Sequence, residues 1–503
     1  MKLFTLSAAL LLSGLIHAQH TNIQISTLDN PNEISIALNE NNPSEMIAGA
    51  NIASIYTSVN GGVSWSRIVQ KSSYGAWGDP VVAIDSKGNY FHFHLSKPEN
   101  GSYIDRIVCQ KSIDKGLTFN NGSYAGLNGT KAQDKPWFAF DTIRQNIYLS
   151  WTQFDKYDSE DLEDRSNILF SKSADYGDSW SEAVQINSVD GDCLDDDNTV
   201  EGAAPAVAPN GDLFVCWMGP NGLVFNQSKD GGNTWFDREQ KIFDIPGGWS
   251  YGISGIYRAN GFPIMKIDNS GGKNNGTIYI NWSDQRNGEN DTDIWLTKSK
   301  DEGKTWSDPT RVNQDKTARQ QFFTWMDIDQ TNGKLYVVYH DRRNYDSDST
   351  DVYMSYSNDG GESFKDVELS ESAFLPDSSV FFGDYNNVAA HNGLIRPTWT
   401  RLDGTKLSVW TAIVDSDLLD NPENINLTVF YDKSGINLTT AKKIQGSVTI
   451  ESIDGLWNKQ WQNVKLTSNG KLFKTLNVLK PGIYSVTVRC EKEIYKRNFV
   501  VKE

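Results

Sequence analysis

The chain has 503 residues, a formal net charge of −17 and 12 % aromatic residues. So acidic a balance argues against nucleic acid as a partner, because a phosphate backbone wants a basic face. Four scattered cysteines (Cys109, Cys193, Cys216 and Cys490) make no disulfide framework, and no CxxC or His-rich spacing suggests zinc.

Lys2 is followed by the apolar run "LFTLSAALLLSGLI" and then by "HAQ". This pattern predicts a signal peptide over residues 1–18, cleaved after Ala18, and hence a secreted or cell-surface protein, the periplasm being the other destination. The run falls short of the roughly 20 apolar residues of a membrane span, and no other stretch reaches that length. Beyond it, strand-forming Tyr, Trp, Phe, Val, Ile and Thr alternate with Gly, Asn and Asp clusters that form turns. No long 3.6-residue period is present, so the chain reads as all-β.

One short motif recurs. "SVNGGVSW" starts at Ser58, "SIDKGLTF" at Ser112, "SADYGDSW" at Ser173, "SKDGGNTW" at Ser228, "SKDEGKTW" at Ser299 and "SNDGGESF" at Ser357. A short strand precedes each copy, for example "DIWLTK" at Asp293. Upstream of that lies a strand ending in an aromatic or His, such as "IYINW" (Trp282) or "YFHFH" (His94), and further upstream a third, such as "PIMKID" at Pro263. A fourth strand is expected to begin at the aromatic residue of the motif. The unit is four short antiparallel strands repeated about every 55–70 residues, the pattern of a propeller blade. Within the motif, Gly permits positive φ, Asp caps backbone N–H groups and Ser bonds to Asp, so its acid is structural. Asn60 in the first copy fits, since Asn caps almost as well as Asp.

The motif resembles the Asp-box (BNR) repeat of the sialidase-like β-propellers, over Ile34 to Asp415. That repeat is shared by enzymes and non-enzymes, so it speaks for fold rather than function. After the sixth copy, "YNNVAAHNG", "LIRPTW" and "LSVWTAIVD" supply three strands of one more blade. "NIQIST" (Asn22–Thr27) is a strand without a blade, and as the missing fourth strand it would leave no open edge. The expectation is a seven-bladed β-propeller over residues 19–415, a linker over 416–424 and a small β-sandwich over 425–503. The segment "LKPGIYSVTV…KRNFVVKE" is similar to the terminal sorting domain of the Bacteroidetes type 9 secretion system. An Ig-like accessory sandwich is the alternative.

Functional side chains are expected on the face opposite the repeated turns. The loops after the second strands carry Arg286, Arg342, Arg343 and Arg401, and Arg forks bind carboxylates in a bidentate manner. Pairing of each Arg with its own loop acids, such as Arg286 with Asp291 or Asp293, is the alternative. The loops entering the first strands carry Trp77 and Asp79, Asp134 and Lys135, Glu201, the Trp249, Tyr251 and Arg258 group, and Asp384 with Tyr385. The aromatic residues suit either sugar stacking or plugging of the channel. His94 and His340 lie at or just past the aromatic column. No cofactor is required. Three acid-rich loops, Asp155–Asp164, Asp190–Asn198 and Asn344–Asp351, suit calcium, though none has EF-hand spacing, and they suit solvated loops as well.

The sialidase-like resemblance implies a secreted glycoside hydrolase acting on an acidic glycan, with an Arg clamp, a Tyr nucleophile helped by Glu, and an Asp acid/base. On loop position, Arg286, Arg342 or Arg343, and Arg401 form the clamp. Tyr385 is the nucleophile, Glu201 its partner, and Asp79 or Asp134 the acid. The family's N-terminal Phe-Arg-Ile-Pro motif is missing. A second reading is a lyase or dehydratase acting on uronic acids, with His94, His340 or Tyr385 taking the proton. A third is a non-catalytic glycan-binding propeller.

Overall fold

The structure, a computed structural model, describes residues 20–420, 427–432, 435–440, 444–453, 455–466, 471–476, 478–490 and 494–501. The expected signal peptide and residues 421–424 of the expected linker lie outside them.

Among the described residues, seven four-stranded antiparallel sheets follow one another between Thr21 and Asp415. Their innermost strands are Ser35–Leu38, Gly78–Ile84, Ala132–Asp141, Glu201–Val207, Ile264–Ile267, Gln321–Asp329 and Asn387–His391. Each innermost strand contacts that of the next sheet, and the first contacts the last. Residues from all seven line one central cavity of about 310 Å³. The architecture is a β-propeller. Six sheets are built from four consecutive strands. The last combines Asn387–His391, Leu394–Asp403 and Lys406–Asp415 with the N-terminal strand Thr21–Ser26. That strand starts one residue earlier than expected and pairs Thr21 with Ile413 and Ile23 with Thr411. A non-local pairing of this kind removes the free edge that an open ring would present.

The repeated turns join the third and fourth strands of six sheets. In the fifth, Ser299 Oγ donates to Asp301 Oδ1 at 2.8 Å, and Asp301 accepts from Thr305 N at 2.9 Å and Thr305 Oγ1 at 2.6 Å. Gly303 has φ of 81°, and a Cβ there would sit 2.8 Å from the Phe225 ring. Glycine is therefore required both by the left-handed backbone and by the neighbouring sheet. The aromatic residue seals the gap between sheets, with Trp306 at 5.4 Å from Phe225, Trp235 at 4.9 Å from Phe170 and Trp180 at 6.0 Å from Phe93. The outer strands begin after this residue, at Ser66, Ser123, Val184, Gln240, Thr310 and Lys365, rather than on it. The ring is turned inward to pack, so the pairing edge starts later.

His94 and His340 belong to the interior. His94 bonds Gln70 Nε2 at 3.0 Å and stacks on His92, while His340 bonds Asn386 Nδ2 at 3.0 Å and stacks on Phe322. Burial lowers both, His94 to about 4 and His340 to about 3. Cys109, Cys193 and Cys216 are buried free thiols. Beyond residue 427 lie a three-stranded and a four-stranded sheet that share one apolar core around Ile436, Val448, Val486 and Phe499. Among the described residues no helix is long and apolar enough to cross a membrane.

Two outcomes test this account. The turn acids Asp230, Asp301 and Asp359 are lowered to about 2, Asp230 and Asp301 chiefly by their turn hydrogen bonds, and Asp359 because such bonds outweigh its burial. A depressed folded value contributes stability above the unfolded value near 4, and that stability is lost as pH falls towards 2. Asp301→Ala should cost about 1–2 kcal/mol at pH 7 in urea unfolding, and the difference from wild type should vanish near pH 2. Deletion of residues 21–26 should expose the edge of Lys406–Asp415 and drive aggregation, read by light scattering. A monomeric, equally stable truncation would contradict the pairing.

Candidate active site

Antiparallel alternation puts the entries to the innermost strands on the face opposite the repeated turns. At several entries the chain makes the same irregularity. The register shifts between Gly78 and Val81, between Asp134 and Trp137, and between Phe322 and Trp325. Asp79, Lys135 and Phe323 sit in these shifts with φ of 49°, 49° and 51°. Glu33, just before the first innermost strand, has φ of 51°. A bulge with one left-handed residue re-aims a side chain out of the strand's alternation. In three of these positions the side chain is ionisable.

These side chains meet around a cavity of about 500 Å³ lined by Glu33, Asn51, Trp77, Asp79, Tyr103, Asp134, Lys135, Tyr157, Arg258 and Phe381, among others. Among the described residues 15 non-glycine residues have positive φ, and six of them line it: Asp29, Asn30, Glu33, Asp79, Ile104 and Lys135. Backbone strain gathered at one cavity is characteristic of a working site.

Lys135 is its hub. Its ammonium, 4 % exposed, lies 2.7 Å from Asp384 Oδ2, 3.0 Å from Asp79 Oδ2 and 3.9 Å from Glu33 Oε1. Burial alone would lower Lys135, but Asp384, Asp79, Glu33 and Asp134 outweigh it and hold the ammonium well above its ordinary value. Arg258 is the second cation. It forks onto Asp384, with Nε at 2.8 Å from Oδ1, and reaches Asp195 Oδ2 at 2.6 Å. Tyr157 donates to the same Asp195 oxygen at 2.7 Å. Arg258 arrives on an insertion between the fourth and fifth sheets, a small hairpin pairing Ser250–Tyr251 with Ala259–Asn260. Asn260 Nδ2 ties that hairpin to Asp384 O at 3.0 Å.

The carboxyls divide into two kinds. Asp384 is buried, which would raise it, yet Arg258 and Lys135 hold it below the usual carboxylate range. Burial pushes three others up. Asp134 rises to about 8, with Asp79 and Asp195 adding to the effect and Lys135 opposing it. Glu33 rises through burial and the nearby Asp79 charge. Glu201 rises through burial and Asp195. The geometry agrees for Glu201. It is fully buried and neither carboxyl oxygen meets a hydrogen-bond donor. A charge could not be left so, and burial beside Asp195 favours the protonated carboxyl.

Trp77, Asp79, Asp134 and Arg258 of the expected set therefore meet in this cavity, with Glu201 behind Asp195. Tyr385 lies beneath, buried against Trp137 at 5.0 Å, with its hydroxyl 3.4 Å from Pro80 O. Burial raises that phenol far above its ordinary value, which is the reverse of an activated nucleophile. The four arginines after the second strands do not line the cavity. Arg286 is paired with Asp284, Arg343 with Asp341 and Asp366, and Arg401 with Asp403. Arg342 is buried, donating to Ser254 O at 2.7 Å and Gln320 Oε1 at 3.0 Å. The partner of Arg286 is the aspartate two residues before it, not Asp291 or Asp293. Trp249 stacks on Phe262, and the Tyr251 hydroxyl donates to Asn260 O, so both serve packing. Among the described residues no three His, Cys, Asp or Glu side chains are arranged to hold a metal ion. In the acid-rich loops, Asp195 is taken by Arg258 and Asp164 accepts from Ser159.

No family model and no curated protein matches the chain. Solved structures of similar shape include a protein of unknown function from Dyadobacter fermentans (12 % identity, 79 % of this chain and 98 % of that one, TM-score 0.45). Another is the α-L-arabinofuranosidase Arb93A of Fusarium graminearum (13 % identity, 79 % and 98 %, TM-score 0.45). A third is the NanB sialidase of Streptococcus pneumoniae (12 % identity, 67 % and 68 %, TM-score 0.44).

Glu201→Gln tests this protonation. A raised folded value makes stability fall as pH climbs above the unfolded value, by roughly 1.4 kcal/mol per pH unit until the folded value is reached. A neutral amide escapes that fall. The variant should match wild type near pH 4 and be the more stable at pH 8 in thermal unfolding. Parallel pH curves for the two proteins would refute it.

Proposed function

We propose that the chain is an exported, seven-bladed β-propeller glycoside hydrolase that cleaves a neutral glycan in the Lys135 cavity. The two C-terminal sheets are read as a β-sandwich serving sorting or accessory binding. One observation carries the enzymatic reading. Asp134 is a carboxyl pushed up to about 8, on the wall of a cavity that also presents Asp79 and the exposed faces of Trp77 and Tyr103. A carboxyl that keeps its proton at neutral pH is suited to protonate a departing sugar oxygen. Asp79, paired with the Lys135 ammonium, faces the same space and is the candidate base or nucleophile.

The cavity is poorly suited to an acidic sugar. Both of its cations are already paired with carboxylates, and further acids surround them. The acidic-glycan reading rested on arginines that are paired elsewhere. Elimination on uronic acids is disfavoured too, since His94, His340 and Tyr385 are buried and do not line the cavity.

Aryl glycosides of neutral sugars, of sialic acid and of glucuronic acid provide the test. Release from a neutral glycoside is expected. Its kcat/KM should fall as pH rises past about 8, where Asp134 loses its proton. Asp134→Asn should lower kcat by about 100-fold or more while substrate still binds. Turnover of only the acidic glycosides, or full activity in a folded Asp134→Asn, would overturn the reading.

A further inference from the structure

Five large aromatic side chains among the described residues are strongly exposed: Trp77 (39 %), Tyr103 (43 %), Tyr124 (39 %), Phe236 (42 %) and Tyr257 (59 %). Three of these five gather about the acidic cavity. Trp77 and Tyr103 line it and meet edge to face at 5.7 Å. On the other side Tyr257 packs edge to face at 5.9 Å on Phe381, which also lines it. Tyr124 stands further out along the second sheet, 5.3 Å from Tyr74. Lys97 links the two groups: its ammonium lies 4.1 Å over the Trp77 ring, and its N–H donates to Tyr74 O at 2.9 Å.

These rings are held, not loose. Arg106 sits 5.3 Å from the Tyr74 ring and 4.8 Å from the Tyr124 ring. Arg106 is itself fixed by Asp105, with Nε to Oδ1 at 2.8 Å and a terminal nitrogen to Oδ2 at 2.7 Å. A cation against a ring fixes its orientation, while the exposed fraction of the ring stays in water. Exposed aromatic surface costs solubility, so its concentration at one mouth marks a binding surface. Rigid amphipathic rings suit a ligand with alternating apolar and hydroxyl faces, and sugar rings have such faces.

We propose that the rings of Tyr257, Phe381, Trp77, Tyr103, Tyr74 and Tyr124 form one groove across the cavity mouth, and that it binds a neutral glycan chain rather than a single sugar. The inference rests on the cavity being a carbohydrate site. It adds that the substrate is a polymer or long oligosaccharide, with its cleaved bond over the cavity and further sugars along the second sheet. An extended polypeptide is the other occupant of such a groove. The wall of carboxyls, which accept hydrogen bonds from sugar hydroxyls, favours the glycan.

The test is affinity electrophoresis of the full chain in gels containing arabinan, xylan, mannan, β-glucan or, separately, gelatin. Retardation by at least one neutral polysaccharide is expected. Tyr124→Ala and Tyr257→Ala, at opposite ends of the groove, should each weaken it about tenfold, with unchanged thermal unfolding showing that the variants are folded. No retardation by any polysaccharide, retardation by gelatin alone, or retardation untouched by both substitutions would overturn the groove. Wild-type turnover of aryl glycosides keeps this outcome separate from the enzymatic reading. Turnover without retardation sinks only the groove, and retardation without turnover sinks only the hydrolase.

Discussion

The site depends on a single buried ammonium. Lys135 is almost wholly removed from water, yet it stays charged because Asp384 and Asp79 lie within hydrogen-bond distance and Glu33 just beyond. These partners come from different sheets: the first, second and seventh. One cation on the third sheet therefore ties four sheets together at the centre of the ring, and the ring's closure and the cavity's electrostatics are the same problem. Two cations do not neutralise six carboxyls. Burial and neighbouring charge push Asp134, Glu33 and Glu201 upward, which relieves part of that surplus. A carboxyl that keeps its proton at neutral pH, Asp134, arises here as a by-product of crowding.

The two faces of the propeller divide the work. On one, the repeated turns are self-contained. Each acid caps its own turn, and each aromatic seals the gap to the preceding sheet. On the other, the entries to the innermost strands hold non-glycine residues in left-handed backbone. That strain is borne by the packing of the ring and aims Glu33, Asp79 and Lys135 at one another. Inserted loops then complete the site. The hairpin bearing Arg258 and the loop bearing Asp195 bring charge that the repeat itself does not contain.

The fold was legible because the repeated turn demands particular residue types at fixed spacing. Ser, Asp, Gly and an aromatic each have one job, and six copies expose the period. Trp77, Asp79, Asp134 and Arg258 were legible as residues at strand entries. Glu33 and Asp195 were not. A positive φ at Glu33 leaves no mark in the letters "NPNEIS", and Asp195 is one acid in a run of acids. The arginine set misled for a local reason. Arg286 and Arg343 follow Asp284 and Asp341 by two residues, and Arg401 precedes Asp403 by two. At a strand end, that spacing closes an ion pair before any ligand arrives. Recurrence of Arg across neighbouring loops was therefore a repeated structural clasp. The stronger sequence signal was the rarer one, a lysine beside an aspartate at the mouth of an innermost strand.

The most direct measurement is the unfolding free energy of Lys135→Met against wild type as a function of pH. Methionine keeps the length of the side chain and removes the charge. With the hub account, the variant loses about 3–5 kcal/mol at pH 7–8, because buried carboxylates are left without their cation. The deficit shrinks towards pH 4, where those carboxylates take up protons and no longer need one. A small deficit, or one of the same size at every pH, would contradict the claim that Lys135 organises the site.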